Sequence, residues 1–428
     1  MAENGQIASK GDSVAVEDLP LIPELADRDF PSKLPSFVDD IFFREYQGLM
    51  RGVDGSVVAY RNCDLKALMV KSEVTNMTAA EMTQPVEGKA GVEVPGWERI
   101  ANASIFTMLP PLHAPARQLL SRPLARGRIA EYQALAEEVV REISRAVAGT
   151  RTLDYQHDYA RRIAARFWRR MIGLTPDEEQ ALQRCADGIA PAFKVDFSAA
   201  EAKGAERAAG EYMDVLSSAI LRETQRGQNE LLNGMTLDFD QIENPDKPVS
   251  ASDTIASNLF DSLHTIAVGM ANVAYALLSH PDAKEQLDAD HGLIGDVVQE
   301  GLRFHSPVAF TQRLTRGEVV QDDVMIPPGT PVTMAWSVGN RDPETFADPN
   351  TFRLGRTSKG KMTFGGGFHI CPGRNISVLM IEAALRVWCV DELQISLAEQ
   401  PKWGPTSSFG QLESIPVSIS LRDRRPAG

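Results

Sequence analysis

The sequence predicts a mainly α-helical protein with a small β portion, and three observations carry that prediction. Apolar residues recur at helical spacing over long stretches, as Leu135, Val139, Ile143 and Val147 do between Glu131 and Val147. A run from Ser252 to Leu278 is apolar on most sides, the pattern of a buried helix. Strand-like alternation is confined to short segments, such as Ile415 to Leu421.

Taken in order, residues 1–20 read as a flexible, polar N-terminal tail. Gly55 to Tyr60 reads as a strand after a turn, and 152–185 and 203–225 have helical patterns. Asn244 to Pro248 is a polar loop before the long apolar helix, which the proline of His280-Pro281 halts. Ile326 to Met334 reads as a turn feeding a strand, and Asn340 to Lys361, rich in Pro, Asp and Gly, as a long ordered loop. An apolar helix from Ile376 to Val390 precedes the last strand. With neither a linker nor a repeat in view, residues 21–428 are expected to form a single domain.

Composition narrows the function. At 428 residues, 43% hydrophobic and 24% charged, the chain has a globular profile. Its net charge of −14 disfavours nucleic acid and anionic membranes as partners. The N-terminus lacks a signal peptide's basic and apolar regions, and no stretch approaches roughly 20 uninterrupted apolar residues. A soluble, cytoplasmic protein is expected. The four cysteines include no CxxC, against a disulfide framework or a structural zinc site, and Cys63, Cys185 and Cys389 read as small buried apolar side chains.

Cys371 is different. In Phe364-Gly-Gly-Gly-Phe-His-Ile-Cys-Pro-Gly-Arg374, consecutive glycines permit tight turns and a close approach to a flat ligand. The cysteine stands just before an apolar helix, whose free N–H groups favour a thiolate. A thiolate in a Gly-rich loop is what an axial haem ligand requires.

The ten-residue pattern Phe364-Gly-x-Gly-x-His-x-Cys-x-Gly373 resembles the haem-binding signature of the cytochrome P450 superfamily, of the soluble, bacterial type. The resemblance implies that fold, with Cys371 as the iron's axial ligand and Phe364, Gly365 and Gly373 shaping its loop. Glu300-Gly-Leu-Arg303 resembles the family's Glu-x-x-Arg motif, and Asn340 to Phe346 with Phe352-Arg353 the loop that docks on it. Glu300 and Arg303, three apart, share a helix face and are expected as a buried structural pair. His113 and Arg117 resemble the pair that holds the haem propionates, joined in the family by Arg313 and His369. Leu109 departs from the family's usual Asp there. The match spans roughly residues 100–425 and is weak before residue 100.

The oxygen-side helix breaks the pattern. The family carries Ala/Gly-Gly-x-Asp/Glu-Thr, and both Ala251 to Thr254 and Asp261 to Thr265 resemble it. Thr265 lies 15 residues before His280 and 35 before Glu300, separations that fit the family. Thr254 lies 11 residues earlier, roughly 16 Å along a helix and too far to share the iron. Thr265 is therefore taken as the oxygen-binding threonine, and Asp253-Thr254 as a helix cap. His264 then holds the acid position, Ser262 the small one and Asp261 the apolar one. His264, or Asp261 through water, is expected to relay protons; alternatively His264 faces away or contacts substrate.

Phe260, Leu263 and His264, then Val308, Ala309 and Phe310, then Phe409, are expected to line the pocket, suiting a hydrophobic or aromatic small molecule. The resemblance implies haem b (Fe-protoporphyrin IX), O2 as co-substrate, and hydroxylation or a related monooxygenation. No P-loop or dinucleotide fingerprint occurs, so electrons from NAD(P)H are expected through a separate ferredoxin or flavodoxin with its reductase. Arg117, Arg122, Arg126, Arg128, Lys359, Lys361 and Arg374 offer a basic surface for that partner. A monomer is expected. Peroxide-driven oxidation, oxidative coupling or rearrangement on the same fold, and a non-catalytic haem sensor or ligand-binding protein, are the competing readings.

Overall fold

The helix Ala251–Leu278 organises the molecule. Its 28 residues span roughly 42 Å, and buried side chains cover most of its circumference. Against it pack the helices Pro95–Ala103, Arg161–Ile172, Ala199–Arg226, Ile294–Phe304 and Arg374–Val390. The structure, a computed structural model, describes residues 13–421 except 126, 151, 241–248, 358 and 391–392. The loop expected at Asn244–Pro248 lies outside the described residues.

The cap of the central helix corrects the sequence reading. Ser250, not Asp253-Thr254, is the N-cap, and its hydroxyl accepts from Asp253 N at 3.0 Å. Asp253 sits in the first turn, where the helix dipole favours an anion, and its carboxylate accepts from Arg99 and Ser217 at 2.7 and 2.6 Å. Thr254 bonds back to the Ser250 carbonyl.

Residues 152–185 are not one helix. Leu153–Asp154 is a strand, Tyr155–Ala160 a wide helical turn, and Arg161–Ile172 a helix that ends at Gly173 with φ 79°. A capping box on Thr175 and Glu178, with Pro176 at the first position, starts the next helix, Pro176–Ile189. The expected helix over 203–225 is longer, Ala199–Arg226.

A five-stranded sheet joins both ends of the chain, with Val57–Ala59 parallel to Pro331–Met334 and Thr311–Thr315 antiparallel to the latter. Part of the expected tail belongs to the folded body. Val14 and Ala15 pair with Val324 and Met325, and Val16 and Leu19 are buried, because four apolar residues in six outweigh the local charges. Cys185 and Cys389 are buried as expected, whereas Cys63 is exposed on the helix Asn62–Leu68.

Glu300 and Arg303, 1% and 0% exposed, meet through two hydrogen bonds of 2.8 and 2.7 Å. Arg303 also donates to the carbonyls of Asn340 and Pro349, at 2.9 and 3.0 Å. Glu300 accepts further bonds from Arg353 N and Arg356 Nε. The amide of Asn340 carries the connection onward, its Oδ1 accepting from Met362 N at 2.6 Å. A buried polar network thus anchors the strand of chain that enters the Cys371 loop.

Candidate active site

Two glycines in the Cys371 loop, Gly365 and Gly367, have φ of 62° and 60°, a region costly for any side chain. A Cβ on Gly366 would lie 2.5 Å from Met69 Sδ, and one on Gly367 would collide with the Met69 carbonyl. The loop therefore lies flush on Met69. Cys371 N donates to Phe364 O at 2.9 Å, closing the turn. The helix Arg374–Val390 starts three residues on.

The N–H groups at this helix terminus do favour the thiolate, as expected, but burial outweighs them. Burial dominates and pushes the Cys371 thiol up to about 11, against the opposing pull of the Gly373 N–H, Arg117 and Arg374. In the protein alone the sulfur is a neutral thiol, and a bound metal ion would have to displace its proton.

Across from the loop stand Asp261 and Thr265, one turn apart on one face of the central helix. Thr265 Oγ1 donates to Asp261 O at 2.6 Å. The Asp261 carboxyl raises the Cys371 thiol electrostatically, so the two residues share one interior. Asp261, Thr265 and Cys371 are each only half-buried, although protein encloses the Asp261 and Cys371 side chains completely. What they face is an internal slot.

Burial raises the Asp261 carboxyl from 3.8 to about 7. The folded state thus holds this proton more tightly than the unfolded chain. The associated stability is fully present below pH 3.8 and is lost as pH rises through about 7. Asp261→Asn is expected to unfold at higher temperature than wild type at pH 8, by an upper bound of about 4 kcal/mol, with the gain vanishing at pH 4. Equal melting curves at pH 8 would show that the carboxyl is solvated in the slot.

Four basic side chains edge this slot. His113 opens the helix His113–Ser121, with Arg117 one turn on, and Arg313 lies on the strand Thr311–Thr315. The rings of His113 and His369 are 4.9 Å apart. His113 Nε2 is buried with no hydrogen-bond partner. Burial, then Arg117 and Arg313, lower the His113 pKa. Burial lowers Arg313 to about 10, and with Arg313, His113 and Arg117 it lowers His369 to about 3. Among the described residues, no carboxylate pairs with Arg117 or Arg313. Mutually repelling donors with an orphaned imidazole await an anion.

A neighbouring face of the central helix is aromatic. His264 lies 4.4 Å from Phe409 and 6.3 Å from Phe260, ring to ring, and Phe193 stacks on Phe260 at 5.9 Å. Burial, then Arg161, push His264 down to about 3. Its Nε2 and the Oε1 of Gln411 are both buried without a completed hydrogen bond, although the Gln411 amide faces the imidazole. Gln411 also lines a cleft of about 250 Å³ with His157, Arg161, Asp187 and Lys194.

Val308 and Phe409 form an isolated antiparallel bridge, reinforced by Ala309 N to Ser408 O at 2.8 Å. The second and third expected pocket walls are therefore one. Leu263, Ala309 and Phe409 are buried, whereas Phe310 is half-buried.

Comparison with known proteins places this arrangement. The sequence pattern described as Cytochrome P450 matches residues 246–408. The beta-dihydromenaquinone-9 omega-hydroxylase of Mycobacterium tuberculosis is 25% identical over 320 residues, 73% of this chain. That alignment spans 64% of the mycobacterial protein's length. The 6-deoxyerythronolide B hydroxylase of Saccharopolyspora erythraea is 27% identical over 321 residues, 72% of this chain and 76% of the relative. The crystal structure of P450BioI in complex with an acyl carrier protein superimposes with a TM-score of 0.80 at 21% identity, covering 91% of this chain and 100% of that one. These likenesses support a bacterial-type cytochrome P450.

That family implies haem, and the residues present here fit it. A sulfur in a Gly-rich loop would hold the iron, and His113, Arg117, Arg313 and His369, with no carboxylate paired to either arginine among the described residues, would hold two propionates. Sequence reasoning missed Asn76, whose amide bonds His369 Nδ1 at 3.2 Å, and Met69 beneath the glycines. It also missed Gln411 and Phe193 beside His264 and Phe260. The triple glycine was the one signal that something packs flush there.

Proposed function

We propose that this P450 is a haem-thiolate monooxygenase acting on a hydrophobic or aromatic small molecule, with residues 21–428 as its haem domain. The observation that carries the reading is the slot itself. Cys371 lies on one side and Asp261 with Thr265 on the other, with anion-seeking donors at its edge. When bound, haem b would supply O2 activation and insertion of one oxygen atom into a C–H bond. Cys371 would give the thiolate, and His113, Arg117, Arg313 and His369 would seat the propionates. The Thr265 hydroxyl, now directed to the Asp261 carbonyl, would turn to hold oxygen or water. Phe260, Leu263, Val308, Ala309, Phe310 and Phe409 would exclude water and orient the substrate.

His264 is the first candidate for moving protons, because its imidazole reaches toward Gln411 and the cleft that Arg161 and His157 share. Asp261 is the second. Electrons from NAD(P)H would come from a ferredoxin or flavodoxin with its reductase. Such a partner would meet the Cys371 side, where Phe368 is 65% exposed and Lys359 and Arg374 are exposed. The expected basic surface is smaller than its residue list. Arg128 is paired with Glu131, Lys361 is half-buried, Arg117 faces inward, and Arg126 lies outside the described residues. Among the described residues no single helix is long and apolar enough to cross a membrane. We place the protein in the cytoplasm as a monomer.

The test is an optical titration of the ferric holoprotein with apolar compounds, followed by turnover with a surrogate electron-transfer pair. A saturable low- to high-spin change and an oxygenated product are expected. With that substrate, Thr265→Ala and His264→Ala are each expected to lower product formed per NAD(P)H roughly tenfold to 10²-fold. If His264→Ala and Asp261→Ala both keep wild-type coupling, the relay is elsewhere.

A further inference from the structure

We propose that Asp261 is the substrate's polar anchor: its carboxyl holds a hydrogen-bond donor, foremost a protonated amine, on an otherwise apolar molecule lying in the slot. The proposal rests on the haem-thiolate reading of that slot and names the chemistry it would accept.

The Asp261 carboxyl is enclosed by protein yet keeps accessible surface, so it points into interior space. Among the described residues it has no hydrogen-bond or ion-pair partner, and burial alone acts on it. Two titratable groups feel its charge, and both are already engaged. Tyr212 donates to Ala256 O at 2.9 Å, and the Cys371 sulfur receives the Gly373 N–H. A carboxyl buried without a partner is destabilising, and the chain offers none. The carboxyl is therefore placed to receive a donor from a ligand.

The helix divides two roles between neighbouring faces. His264 turns toward Phe409, Gln411 and the polar cleft, the direction of a path to solvent. Asp261 turns toward the Cys371 side, and among the described residues its carboxyl has no side-chain partner. A proton path needs a connection to water, and His264 is the residue with one nearby. An anchor needs an unsatisfied acceptor facing the ligand, which Asp261 provides. Phe260 and Leu263 nearby are apolar and buried, and the Thr265 hydroxyl is already given to the Asp261 carbonyl, so the Asp261 carboxyl is the free acceptor on this face. One strong polar contact in such a pocket fixes orientation, and with it the carbon presented for oxidation. A carboxylate prefers a charged donor to a neutral one, so amines rank above alcohols.

The experiment titrates the ferric holoprotein with three probes of one shape: 4-phenylbutylamine, 4-phenylbutan-1-ol and pentylbenzene. Wild type is expected to bind the amine at least about tenfold tighter than pentylbenzene, with a spectrum of water displacement. The alcohol should fall between them. Asp261→Asn, which keeps a neutral acceptor, should bind the amine no better than the alcohol. In Asp261→Ala the three affinities should converge. If the alcohol matches the amine in wild type and both lose their advantage in Asp261→Ala, the anchor stands and serves neutral donors. Equal wild-type affinities overturn the proposal, as does a preference that survives in Asp261→Ala. An amine spectrum of direct nitrogen-to-iron ligation also overturns it. An unchanged reduced, carbon monoxide-bound spectrum in Asp261→Asn shows that the fold and haem seat are intact. Failure to take up haem at all would instead sink the underlying reading.

Discussion

Cys371→Ala is expected to give a folded protein with no thiolate-haem spectrum and with turnover at background. The sulfur is the proposed iron ligand, and the basic side chains at the edge are suited to carboxylates. Haem is therefore expected to bind the variant more weakly, held by its propionates alone. The haem-free fold should hardly notice the change. The buried thiol is neutral there, with its pKa raised to about 11, so its removal costs only a small cavity, about 1–2 kcal/mol. The measurements are the reduced, carbon monoxide-bound spectrum and the melting temperature of the haem-free protein. A wild-type spectrum in the variant would exclude Cys371 as ligand.

Glu300→Ala is expected to be the most destabilising single change, by about 3–5 kcal/mol, because it strands a buried charge. Arg303 is fully buried and would lose both hydrogen bonds to Glu300, and Arg356 would lose its bond to the Glu300 carboxylate. Set against a typical total of about 5–15 kcal/mol, that loss should lower the melting temperature on the order of 10 °C. The damage should spread to the cysteine loop. Asn340, which receives Arg303 through its carbonyl, also positions Met362 at the entry to that loop. Haem retention should fall with stability. A melting temperature within about 2 °C of wild type would mean that Glu300 is solvated or replaced.

What the sequence disclosed follows from the range of the interactions. The Cys371 loop was legible because its glycines, turn closure and following helix lie within a dozen residues. Glu300 and Arg303 were legible because a helix brings third neighbours together. The cap was misplaced because Ser250 and Asp253 are both capping types three apart, and only the backbone decides which is cap and which is first turn. The break at Gly173 and Pro176 was written in two residues that disrupt helices, yet apolar spacing continued through it. Met69, Asn76 and Gln411 were invisible, since each reaches its partner across more than 140 residues. The burial that opposes the thiolate at Cys371 was hidden for the same reason. A helix terminus can be read locally, whereas burial comes from the whole chain.

The bridge between Val308 and Phe409 joins segments about 100 residues apart. Main-chain bonds fasten it, Ala309 N to Ser408 O and Gly410 N to Pro307 O, together with the Asn272 amide on Gly410 O. Such a seam is indifferent to the side chains it displays. On the proposed function, mutations at 308–310 or 407–409 would reshape what the protein admits while leaving the residues proposed to seat the haem as they were. Selection on diet and selection on chemistry would then act on separate parts of the chain, and a lineage built on this scaffold would change its substrate in single steps.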